Sequence, residues 1–139
     1  MENSKNYSLK TALQIGEGQF IEFKESIDKS LSKEIVAFAN ASGGIIYLGI
    51  TDSGGIKGVK ITNRIKSEIQ DIARNCDPSI FVSLDSNQNV LCISVDEGIS
   101  KPYSCSDGFF LRIGANSQKM KRDEVLTLAV KTGKIRFDE

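Results

Sequence analysis

Residues 45–50 read IIYLGI, an apolar run with no polar alternation. A strand with one wet face alternates apolar and polar side chains, so an unbroken run ended by turn residues belongs to a central strand covered on both faces. The chain must therefore supply apolar elements on both sides of a sheet, which points to a layered fold. At 139 residues it has the length of one domain and leaves no room for a second.

The flanking segments supply those layers. FIEFK at 20–24 alternates as a short strand, with Ile21 and Phe23 on one face and Glu22 and Lys24 on the other. Ser30 is placed to cap a helix in which Leu31, Ile35 and Phe38 recur at helical spacing, Glu34 lies in the first turn, and Gly43-Gly44 ends it near Ser42. After the central strand, Asp52-Ser53-Gly54-Gly55 is turn chemistry that predicts a hairpin into IKGVK. Ile65, Ile69, Ile72 and Cys76 mark a second helix from Thr62, ended by Asp77-Pro78. Strands are expected at 80–84, 90–95 and 109–113, and a last helix near 122–131, stopped by Gly133. Residues 1–15 form either an arm or a short helix. The expectation is an α+β domain over residues 10–132, with a mixed or antiparallel sheet of about five to six strands and three helices. An arm at 1–9 and a tail at 133–139 flank it.

Missing residue types narrow the chemistry. There is no histidine, which removes Ser-His-Asp and Cys-His nucleophiles and any zinc site with a nitrogen ligand. Cys76, Cys92 and Cys105 are widely spaced and odd in number, as suits reduced thiols packed in a core. The N-terminus carries no apolar signal region and no run reaches the ~18 residues of a membrane span, so the expected compartment is the cytoplasm. Gly16-Glu17-Gly18 and Gly49–Gly54 fail the dinucleotide and Walker patterns, since Ile21, Gly55 and Ile56 stand where those motifs need other residues.

Eighteen bases balance eighteen acids, but unevenly along the chain. Residues 57–66 hold Lys57, Lys60, Arg64 and Lys66 with no acid, and residues 112–122 hold Arg112, Lys119, Lys121 and Arg122 with no acid. Such runs are either solvated faces or footprints for nucleic-acid phosphate. A second constellation is Glu17, Glu22, Lys24 and Asp52. Converging carboxylates without histidine suit Mg²⁺ or Mn²⁺ with an activated water, and a lysine would steady a phosphate. Glu17 and Glu22 differ by five, which places them on opposite faces of a regular strand, so Glu17 has to reach in from a curved loop. The alternative is an edge strand's polar face and a turn residue.

The strings EGQFIEFK at 17–24, KEIVAFANASGG at 33–44, GITDSGGIKGV at 49–59 and FLRIGANS at 110–117, with Pro102 before the last, resemble the Schlafen AlbA-like domain family. The resemblance implies a DNA- or RNA-binding domain that contacts the phosphate backbone without strong sequence readout, in a setting such as transcriptional regulation. It assigns phosphate contacts to Arg112, Asn116 and Ser117, with Lys119, Lys121 and Arg122, although Arg112 is equally open to pairing with an acid across the sheet; the basic run at 57–66 adds Lys57 and Lys60 as further contacts. Some animal members are metal-dependent endoribonucleases on structured RNA such as transfer RNA. Their acidic triad corresponds here to Glu17, Glu22 and Asp52 as Mg²⁺ or Mn²⁺ ligands, with Lys24 beside them, although the stretch before Asp52 varies in the family. Those nucleases join two such lobes, and here a homodimer would supply the second. A protein-interaction or dimerisation module is the remaining reading. Asn40, in the F-A-N-x-x-G-G element, is expected to be structural. Of the aromatics, Tyr103, Phe109 and Phe110 are open to base stacking or to the core.

Overall fold

The computed structural model describes residues 7–133. The elements follow the order α1 (Leu9–Ile15), β1 (Ile21–Lys24), α2 (Leu31–Asn40), β2 (Gly44–Leu48), α3 (Asn63–Arg74), β3 (Val82–Asn87), β4 (Val90–Val95), β5 (Ser104–Cys105), β6 (Gly108–Ile113), β7 (Asn116–Lys119) and α4 (Arg122–Lys131). The α+β class holds, with four helices and seven strands in two sheets where three helices and five to six strands were expected. Of the arm expected at 1–9, residues 1–6 lie outside the described residues and Leu9 already belongs to α1, and of the tail expected at 133–139 only Gly133 is described.

The first sheet is mixed, with strand order β1-β2-β4-β3. β1 and β2 run parallel because α2 carries the chain back across the sheet, and β2-β4 and β4-β3 are antiparallel. Every residue of β2 is buried, and the cause is layering. Ile46 and Leu48 face a cluster built with α2 and α3, while Ile45 and Tyr47 face a second cluster closed by Leu9 and Ala12 of α1. The short N-terminal segment is thus the lid that lets the central strand be apolar on both sides.

The second sheet has the order β5-β6-β7. α2 lies between the two sheets, so Ile35 through Asn40 are buried without interruption, which a helix with one wet face would not show. The α2 to β2 junction is correspondingly tight. Gly43 takes φ +80°, and a Cβ on Gly44 would stand 2.4 Å from the Phe38 ring and 2.9 Å from the Phe20 carbonyl oxygen.

Where elements differ from expectation, the reason is local. The hairpin after β2 does not form: Ile50 and Ile56 make one isolated bridge. Beyond it the Lys57 and Gly58 N–H groups both donate to the Gly49 carbonyl, and Val59 N–H donates to Asn89 O, which draws the chain toward the β3-β4 turn. That turn needs only Gln88 and Asn89, both at positive φ, so β3 extends to Asn87 instead of ending at Leu84. α3 is capped by Thr62, whose hydroxyl accepts from Ile65 N–H at 3.2 Å. Ser30 does not cap α2 with its side chain.

Candidate nucleic-acid interface

The residues singled out by sequence separate into a buried charge cluster and a set of exposed cations. Strand β6 alternates so that Phe110 and Arg112 both point inward toward α2. The Arg112 side chain is fully buried. Its Nη1 donates to Glu22 Oε1 at 2.7 Å, to Ser117 Oγ at 3.0 Å and to Glu34 Oε1 at 3.3 Å. Nε and Nη2 donate to the Gly18 carbonyl at 3.1 and 2.9 Å, and Nη2 donates to the Ile21 carbonyl at 2.9 Å. The guanidinium lies 4.7 Å from the centre of the Phe38 ring. Every nitrogen of the fork is used inside the protein, so Arg112 pairs with acids across the fold and is not presented to a phosphate.

Around it, Ser117 donates a short hydrogen bond to Glu34. Gln19 accepts from Gly114 N–H at 2.9 Å and donates to the Arg112 carbonyl at 3.0 Å, which fixes the two-residue turn between β6 and β7. Gly114, at φ +59°, begins that turn as a tight hairpin requires. Loss of solvent pushes the Glu22 carboxyl up to about 7, and the charges of Glu34 and Glu17 add to this against the pull of Arg112. A fully buried cation shared between two carboxylates explains why both acids sit in an apolar region without expelling it. By sequence Glu34 is a favourable first-turn residue and nothing more. The signal that identifies it is its place on the α2 face occupied by Leu31 and Phe38, where an acid needs a partner.

The acidic constellation assembles only in part. Gly18 and Ile21 form a bridge that curves the chain, and Glu17 reaches back from this loop to accept Phe23 N–H at 2.9 Å. Glu17 is close enough to Glu22 to raise its pKa. Asp52 is exposed on its turn. Lys24, with 9 % of its side chain exposed, donates to Ser30 Oγ and pairs with Asp28 at 3.1 Å. The Asp28 carboxyl is held below its usual range, chiefly by the Ser30 hydroxyl. Among the described residues no group of three acids or cysteines could hold a metal ion. With Glu22 bound to Arg112 and Asp52 out on a turn, the donor set does not fit Mg²⁺ or Mn²⁺.

The remaining cations face water. Lys57 (weakly paired with Glu25 at 3.4 Å), Lys60, Arg64 and Lys66 are exposed, as are Asn116, Lys119, Lys121 and Arg122. Arg122 pairs with neighbouring Asp123 at 3.2 Å with both side chains in solvent, a contact worth little. Lys60, Lys119 and Lys121 make no ion pair among the described residues.

Asn40 is the structural clamp expected of it. Its Nδ2 donates to the carbonyls of Tyr103 at 2.9 Å and Phe110 at 2.8 Å, and its Oδ1 accepts from Tyr103 N–H at 2.6 Å. Tyr103 and Phe110 are core residues, and only Phe109 of the three aromatics is half-buried.

Among solved structures, the DIP2311 protein from Corynebacterium diphtheriae shares the fold at a TM-score of 0.62 and 22% identity. The match covers 86% of this chain but only 25% of that one, so this chain spans about a quarter of its length. No curated protein matches the sequence. A family model described as Schlafen, AlbA_2 matches residues 17–121, from the Glu17 loop through Lys121 and well over half of the sequence, and the chain therefore belongs to that family.

Proposed function

We propose that this domain binds nucleic acid through backbone phosphates, with little reading of base sequence. Membership of the Schlafen, AlbA_2 family suggests a nucleic-acid-related role. The observation that carries the proposal is the corner from β7 into α4. There Lys119 and Lys121 are exposed and unpaired among the described residues, on a hairpin held by the buried Arg112 cluster. Ammonium groups on a fixed scaffold, free of carboxylate partners, are what non-specific phosphate contact needs. Arg122, Asn116, Lys57 and Lys60 extend the set. Arg112 and Ser117 act beneath it as positioning residues, since their polar atoms are engaged with Glu22 and Glu34. A homodimer would present two such corners to one duplex, and light scattering with and without nucleic acid checks it.

Fluorescence anisotropy of labelled duplex DNA and of a labelled RNA stem-loop tests the reading. Affinity should fall with salt at a log-log slope of about 0.9 per duplex phosphate neutralised, and Lys119→Ala with Lys121→Ala should reduce that slope by about 2. A flat salt dependence overturns the proposal. The same samples with Mn²⁺ address the endoribonuclease alternative. Intact RNA is expected, because the three acids do not converge, and cleavage abolished by Glu22→Gln would restore that alternative.

A further inference from the structure

Two cysteines far apart in sequence meet where the second sheet touches the end of α3. Asp77 N–H donates to Ser104 O and Ser104 N–H donates to Asp77 O, each at 2.8 Å, the reciprocal exchange of a hydrogen-bonded antiparallel pair. Cys76, just beyond α3, and Cys105, on β5, are the residues that immediately flank this isolated bridge.

Their side chains share one side. Cys76 belongs to the main core cluster, Cys105 packs against that cluster, and both line one cleft of about 280 Å³ with Asp28, Lys29 and Ser106 at its walls. Both are free thiols. Cys76 is buried and Cys105 half-buried, so Cys105 is the more accessible thiol. Burial, helped by the nearness of Cys105, pushes the Cys76 thiol up to about 12. The third cysteine, Cys92, lies on β4 paired with Tyr47 and packs against the α1-side cluster, on the opposite face of the first sheet.

We infer that Cys76 and Cys105 are a redox-active dithiol, converted by a small disulfide such as oxidised glutathione into a cross-strand disulfide. The Cys105 thiolate attacks one glutathione sulfur, forms a mixed disulfide and releases one glutathione thiolate, which takes up the proton Cys105 lost. Cys76 then gives up its proton, attacks the Cys105 sulfur and expels the second glutathione, which takes that proton. Two protein thiols are oxidised by two electrons and one glutathione disulfide is reduced to two thiols. The new bond fastens β5, and with it the second sheet, to the segment leading from α3 into β3.

The test incubates the native protein with oxidised glutathione, blocks the remaining thiols by alkylation and reads intact mass and proteolytic peptides. The expected result is a loss of two hydrogens, a cross-linked peptide pair containing Cys76 and Cys105, and alkylated Cys92. Cys76→Ser should stop at a stable glutathione adduct on Cys105, and Cys105→Ser should give no cross-link. Should Cys76→Ser not fold, the native protein and the Cys105→Ser variant decide alone. A persistent adduct on native Cys105, a cross-link through Cys92, or two unreacted thiols overturns the inference.

Discussion

The two basic segments look alike in sequence and are treated in opposite ways by the fold. Residues 57–66 and 112–122 each carry four bases and no acid. In the first, all four bases reach solvent. In the second, Lys119, Lys121 and Arg122 do so, while Arg112 is enclosed by Glu22 and Glu34 from distant parts of the chain. Local charge density therefore says nothing about which cation is available to a ligand. What separates them is strand parity: Arg112 shares the inward face of β6 with Phe110, and the rest stand outside that register.

The largest effect should come from the enclosed base. Arg112→Met leaves two carboxylates in an apolar site without their cation and should cost about 3–5 kcal/mol in urea unfolding, whereas Lys60→Ala should stay within about 0.5 kcal/mol. Equal effects from the two substitutions would end the distinction. Asn40→Ala comes next. It removes three hydrogen bonds to backbone groups, two at Tyr103 just before β5 and one at Phe110 on β6, and should cost about 3 kcal/mol by the same measurement. A negligible loss would mean that Arg112 alone anchors the second sheet.

Proton linkage gives a third test. Glu22 titrates near 7 when folded, above its ordinary 4.5, so between those values the folded protein holds a proton the unfolded chain has released. The resulting stabilisation is fully present below about 4.5 and is lost as pH rises through about 7. Stability should thus fall by about 3 kcal/mol over that window, and Glu22→Gln should flatten the profile. A slope unchanged in Glu22→Gln would assign the titration elsewhere. The smallest effect belongs to the exposed bases: Lys119→Gln and Lys121→Gln should leave the unfolding midpoint in place and change only the salt dependence of nucleic-acid binding, read by anisotropy.

Sequence carried much of this fold and less of its charge chemistry. β4 and α4 match their expected spans, because regular apolar spacing and first-turn acids mark them within one short window. NSQK has no apolar alternation to mark β7, whose residues the family resemblance gives only as phosphate contacts; it is a strand only through its pairing with β6. The odd spacing of Glu17 and Glu22 argues against their meeting on a regular strand, and the curved loop that a meeting demands is what the Gly18–Ile21 bridge supplies. Sequence does not anticipate the role of Glu34, since its partner lies 78 residues away. Likewise, the spacing of the three acids carries no information on whether a turn at Asp52 folds toward β1 or away from it.

The enclosure of α2 has a kinetic consequence. The amides of Ile35 through Asn40 cannot meet solvent unless the two sheets part, so fraying of α1 or α4 leaves them untouched. In deuterated water they should exchange through global unfolding alone, with an exchange free energy equal to that of the whole domain. That helix is the natural gauge against which every substitution above can be read, residue by residue, in a single experiment.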